Sequence, residues 1–84
     1  MNEKIVYTVD GYVWNKRSRE YDHTVILRTD NLDLAKRKFY RLASELNNDM
    51  TQVSVEKDDG FDVERIFLAY MYDGELTVDD YSKS

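Results

Sequence analysis

The chain reads as an α+β protein: a single ββαββ(β) domain, a mainly antiparallel sheet with one amphipathic helix packed on one face. Three observations predict this. Four segments carry strand-like patterning, alternating apolar with polar or apolar on both sides. One segment repeats apolar residues at spacings of three and four. Turn signals, Asp58-Asp59-Gly60 and Asp73-Gly74, punctuate the second half.

Residues 4–14 predict the first strand, with Ile5, Tyr7, Val9 and Val13 on one side and Val6, Thr8, Tyr12 and Trp14 on the other. Gly11 inside it marks a bulge or bend. Residues 15–20 are polar and basic and suit a hairpin loop. Residues 22–29 predict a second strand, with Val25 and Leu27 opposite Thr24, Ile26 and Arg28. Residues 30–47 predict the helix, whose apolar stripe is Leu32, Ala35, Phe39, Leu42, Ala43 and Leu46. Asp30 suits the N-cap, Asp33 the first turn, and Asn47-Asn48 the stop. Residues 50–56 predict a third strand with a polar face of Gln52, Ser54 and Glu56. Residues 63–72 predict a fourth, with Ile66, Leu68, Tyr70 and Tyr72 opposite Val63, Phe67, Ala69 and Met71. Residues 75–78 allow a short fifth strand, and 79–84 are expected to fray. Strands one and four, apolar on both sides, are expected nearer the middle of the sheet than two and three.

The 84 residues make one domain, 1–84, with no linker, repeat or low-complexity stretch. No cysteine is present, so disulfides, thiolate catalysis and cysteine-ligated zinc are excluded. The longest apolar runs, such as Ile66-Phe67-Leu68-Ala69, are too short to span a bilayer. No signal peptide is expected, and the location expected is cytoplasmic. A domain of this size buries only about 60–65% of its unfolded surface, so modest stability is expected.

Charge divides unevenly: residues 1–47 carry +2 and residues 48–84 carry −7, for a net −5. Asp58, Asp59, Asp62 and Glu64 gather around one turn, an acidic surface able to imitate phosphates and meet a basic groove. The opposite reading uses Lys16, Arg17, Lys36, Arg37 and Arg41, from the hairpin loop and the outer helix face, as phosphate contacts of a nucleic-acid-binding regulator. The net acidity argues against that alternative.

One helix covers only one face of a four-stranded sheet. The other face is expected to show some of Val6, Tyr12, Trp14, Ile26 and one row of strand four, unless residues 75–84 fold over it. Tyr12, Trp14 and Phe67 are the candidate apolar anchors for a protein partner, since aromatic residues are enriched in binding hot spots. A homodimer joined through this face is compatible with either charged-surface reading.

Catalytic patterns are absent: no nucleophile elbow, phosphate loop, dinucleotide fingerprint or H-E-x-x-H occurs. His23 is the lone histidine, without a second histidine or a cysteine to complete a metal or base constellation. The acidic turn lacks the EF-hand spacing. No enzyme, cofactor or metal site is expected.

Three segments, Val6-Tyr7-Thr8-Val9-Asp10-Gly11-Tyr12, Thr29-Asp30-Asn31-Leu32 opening a Lys/Arg-rich helix, and Ala69-Tyr70-Met71-Tyr72-Asp73-Gly74, give the chain a recognisable layout. In that layout it resembles small acidic proteins encoded by phages and mobile elements of Gram-positive bacteria. The resemblance implies a possible inhibitor of a host defence nuclease, as anti-CRISPR proteins are. It carries over no functional residue, since no family motif is matched.

Overall fold

The computed structural model describes residues 4–83. The chain runs β1 (Val6–Asn15), β2 (Glu20–Thr29), α1 (Leu32–Ser44), β3 (Met50–Asp58), β4 (Val63–Tyr72) and β5 (Glu75–Asp80), closing in a 3₁₀ turn at Tyr81–Lys83. The strands form one five-stranded sheet in the order β2-β1-β3-β4-β5, and every neighbouring pair is antiparallel. This is the ββαββ(β) domain expected. Because β1 lies between β2 and β3, α1 carries the chain across β1, along one face of the sheet.

The helix starts one residue later than the charge pattern suggests. Asn31, not Asp30, is the N-cap, and its side-chain oxygen accepts from the Leu34 N–H at 3.1 Å. The Thr29 hydroxyl in turn accepts from the Asn31 N–H. The helix ends at Ser44, and Asn47 builds the entry to β3, its side-chain oxygen accepting from the backbone N–H groups of Asp49 and Met50. Ala35, Phe39 and Ala43 are the buried helical positions, each four residues from the next, as a single helical stripe requires. They close over Val9, Val53, Val55, Ile66, Phe67 and Ala69. The Phe39 and Phe67 rings lie 5.4 Å apart at the centre of this layer.

β-Bulges decide which side chains meet the helix. Val9 pairs with Leu27 but Asp10 pairs with Val25, which leaves Ile26 as the extra residue on β2. Val55 pairs with Phe67 but Glu56 pairs with Arg65, which leaves Ile66 as the extra residue on β4. A bulge lets two successive side chains face the same way. Ile26 and Leu27 therefore both border α1, in a groove with Leu34 and Arg37. Ile66 and Phe67 are both buried in the core. Continuous alternation had placed Ile26 on the uncovered face and Ile66 with Leu68; both assignments are corrected by the bulges.

Two further expectations change. The polar-faced third strand is the centre of the sheet, with β1 and β4 beside it. Residues 79 and 80 do not fray: they belong to β5, with Asp79 opposite Leu68 and Asp80 opposite Phe67. The 3₁₀ turn then brings Tyr81 and Ser82 beside Tyr7, Leu32 and Ile66, on the helix side. The described part of the tail thus widens the sheet and leaves its far face open.

Gly11 sits on β1 close against the backbone of β3. A Cβ added there would lie 2.9 Å from the Gln52 carbonyl oxygen, a backbone atom that cannot swing away. Gly11→Ala is expected to destabilise the domain by about 1–3 kcal/mol, the usual cost of overpacking. A urea unfolding midpoint unchanged from wild type would refute this reading of the glycine.

Candidate functional site: an aromatic sheet face around a buried carboxylate

The uncovered face has an aromatic end. Trp14 on β1 and Tyr21 on β2 are cross-strand partners, and their rings meet edge-on at 5.0 Å. Beside them Tyr12 faces His23, with ring centres 5.5 Å apart. The Tyr21 hydroxyl donates to the Asn48 carbonyl and ties this end to the loop before β3. Tyr12 and Trp14 remain over one-third exposed, at 37% and 36%. Leu68, Tyr70 and Tyr72 continue the apolar surface along β4, and Tyr72 is 77% exposed.

Phe67 is not part of this surface. It is 1% exposed and lies against Phe39, so it belongs to the core and cannot anchor a partner. Its row faces the helix because Val55, its partner across β3, does so as well.

The centre of the same face holds an unforeseen group. Asp10 is 2% exposed although no helix covers it. Its neighbours across the sheet enclose it. Ser54, directly opposite on β3, donates its hydroxyl to Asp10 Oδ1 at 2.5 Å. His23, diagonal on β2, places Nε2 at 2.7 Å from Asp10 Oδ2. Glu56, diagonal on β3, shares a hydrogen bond with the same carboxylate. Diagonal neighbours on one sheet face are within reach of long side chains. One potential ligand atom from each of Asp10, His23 and Glu56 falls within a 4.8 Å span.

The electrostatics follow from this crowding. Burial pushes the Asp10 carboxyl up, but hydrogen bonds from Glu56, Ser54 and His23, with the charge of His23, outweigh it and hold the group below its ordinary value. Glu56 moves the other way: its hydrogen bond to Asp10, then burial and the Asp10 charge, raise it, against the pull of Arg65 and His23. The two carboxyls shift in opposite directions, as members of a close like-charged pair do, Asp10 down and Glu56 up.

The sequence reading missed Asp10 and set His23 aside for want of partners. The partners that Asp10 gathers lie far along the chain, His23 13 residues away and Ser54 44, on separate strands. One signal was present: an aspartate interrupting a strand otherwise apolar on both sides.

The acidic candidates lie at the far end of the sheet. Val6 pairs with Asp58 and Val13 with Met50, so the β3–β4 turn sits opposite the Trp14 end. At strand rise, eight residues put Asp58 roughly 26 Å from Trp14 along β1. Asp58 Oδ1 accepts from the Gly60 N–H, and Asp59 Oδ1 from those of Phe61 and Asp62. These bonds, chiefly from Asp62 and Phe61, hold Asp59 below its ordinary value. Asp58 and Asp59 are therefore turn-formers as well as charges. Glu64 pairs with Lys57, which partly offsets it.

The basic candidates divide between two elements. Lys16 and Arg17 sit in the β1–β2 turn, and Asn15 Oδ1 accepts from the Arg17 N–H. Lys36, Arg37 and Arg41 lie on α1; Lys36 reaches back over the Phe67 ring at 5.9 Å and Arg41 approaches Glu45. No helix among the described residues is long and apolar enough to cross a membrane. Comparison of the chain with protein-family models, with curated proteins and with solved structures found no match.

Proposed function

We propose that the protein is a non-enzymatic interaction module, an inhibitor or accessory factor that acts by covering a surface of a partner protein. The observation that carries this reading is the uncovered sheet face, with Tyr12, Trp14 and Tyr21 exposed together at one end. Aromatic clusters of this kind supply most of the energy at protein interfaces. The rim selects the partner's chemistry. Glu75 and Asp79 on β5 stand opposite Tyr72 and Leu68, and the β3–β4 turn adds Asp58, Asp59 and Asp62. The partner that fits is a protein with an apolar pocket bordered by basic groups, drawn in by the −7 of residues 48–84.

The test begins with light scattering coupled to size exclusion at two salt concentrations. A monomer leaves the face available to a different protein. A dimer that Trp14→Ala dissociates means that a second copy occupies it, which overturns the reading. With a monomer, proteins retained from the lysate of the producing cell are compared between wild type and Trp14→Ala, and each is titrated in purified form. Trp14→Ala is expected to weaken the genuine partner by about 2 kcal/mol or more, roughly 30-fold. The unfolding midpoint should move little, because the indole is partly in solvent already. A falling midpoint with unchanged binding would make Trp14 a packing residue only.

A further inference from the structure

We propose that Asp10, His23 and Glu56 form a binding site for a first-row divalent metal ion of the zinc class, set in the middle of the uncovered sheet face. The inference stands apart from the partner-docking reading, and none of the anchor residues is a metal ligand.

Three adjacent strands each contribute one donor: Asp10 from β1, His23 from β2 and Glu56 from β3. A four-coordinate zinc ion with bonds of about 2.0–2.2 Å holds its donors roughly 3.3–3.6 Å apart. The ligand atoms lie within 4.8 Å of one another, so side-chain rotation has to bring the widest pair closer by about 1 Å for all three to bind. The 2.7 Å contact between His23 Nε2 and Asp10 Oδ2 opens by somewhat under about 1 Å when a metal replaces the hydrogen between them.

The donor chemistry selects the ion. An imidazole nitrogen with two carboxylates suits zinc and its neighbours, whereas calcium seeks six to eight oxygens and magnesium keeps most of its water. Charge points the same way. Asp10 is buried, and among the described residues its ion-pair partner is the half-exposed His23 imidazole, with hydrogen bonds from Ser54 and Glu56 beside it. Two carboxylates this close repel unless a proton or a cation lies between them, and a dication serves both.

The surroundings are those of a supported ligand set. Ser54, 4% exposed, holds Asp10 Oδ1 and leaves Oδ2 for the metal. The Tyr12 ring packs beside His23. Fixed outer groups of this kind typically contribute about 10–100-fold to metal affinity. The side chain of His23 is 52% exposed, so the fourth position opens to water. Three protein ligands and one solvent position result.

The experiment uses the full chain freed of metal with a chelator. Zn²⁺ is titrated in competition with a chromophoric chelator, and Co²⁺ is added separately to read coordination from its visible absorption. One ion per chain is expected, with the intense Co²⁺ bands of a four-coordinate site. His23→Gln and Glu56→Gln should each weaken Zn²⁺ by more than about tenfold. Asp59→Asn, in the exposed acidic turn, should leave affinity unchanged. The chain has a single histidine, so its ring NMR signals read the site in the wild-type protein as well. They should shift on adding one equivalent of Zn²⁺. Stationary ring signals, affinity equal in wild type and His23→Gln, or binding that follows Asp59 would each overturn the proposal.

Discussion

Phe67→Ala is expected to destabilise the domain by about 3–5 kcal/mol, the usual cost of truncating a buried phenylalanine. The ring is 1% exposed and meets Phe39 at 5.4 Å and Tyr40 at 6.1 Å. It also fills the space where Val55 of the central strand faces α1. Its removal takes one of two phenylalanines from a core whose other members are mostly valine and alanine. Small domains commonly hold only about 5–15 kcal/mol of net stability, so the variant should lose a large share. Chemical denaturation followed by Trp14 fluorescence measures this, because Trp14 lies at one end of the same sheet. The contrast with Trp14→Ala is the informative part. One aromatic is expected to govern folding and the other binding. A Phe67→Ala protein that keeps its midpoint would place the ring outside the core.

The exchange of roles between these two residues shows where sequence patterning stops. Strand four is apolar on both sides, so period-two alternation finds its two rows and cannot say which meets the helix. Strand one has the same ambiguity, resolved only when Val9 pairs with Val55. The bulges at Ile26 and Ile66 add a local error: each reverses the phase of the alternation within its strand. The helix escaped both problems. Its stripe has a period no strand shares, and Ala35, Phe39 and Ala43 are buried as the spacing requires. The polar residues of β3 misled in a different way. Gln52, Ser54 and Glu56 suggested a peripheral strand, yet β3 is central, and Ser54 and Glu56 are polar because Asp10 needs hydrogen-bond donors. A buried carboxylate can be met only by residues distant in sequence, and no spacing rule within one strand reveals them.

Asp10 itself offers the sharper experiment, since removing it and substituting its neighbour Glu56 should act in opposite directions. Asp10→Ala leaves the buried Ser54 hydroxyl without its acceptor and opens space beneath His23. A cost of about 1–3 kcal/mol is expected from the orphaned donor alone. Glu56→Gln should be nearly neutral or stabilising in metal-free protein, because the amide supplies permanently the hydrogen that the carboxylic acid supplies only while protonated. The pH dependence carries the sign. Glu56 is raised by its bond to Asp10, so the stability its proton provides is present in acid and lost as pH climbs through the raised value. Asp10 is lowered, burial notwithstanding, by bonds from Glu56, Ser54 and His23, so its contribution is lost as pH falls through the lowered value. The groups that face Glu56 are Asp10 from β1, His23 from β2 and Arg65 from β4, and only Asp10 favours the protonated form. The pair is therefore most stabilising between the lowered Asp10 value and the raised Glu56 value. The advantage of Glu56→Gln over wild type should widen as pH rises from there, measured as the difference in urea midpoints with chelator present. A difference that stays flat across that range would mean that the two carboxyls do not share a proton.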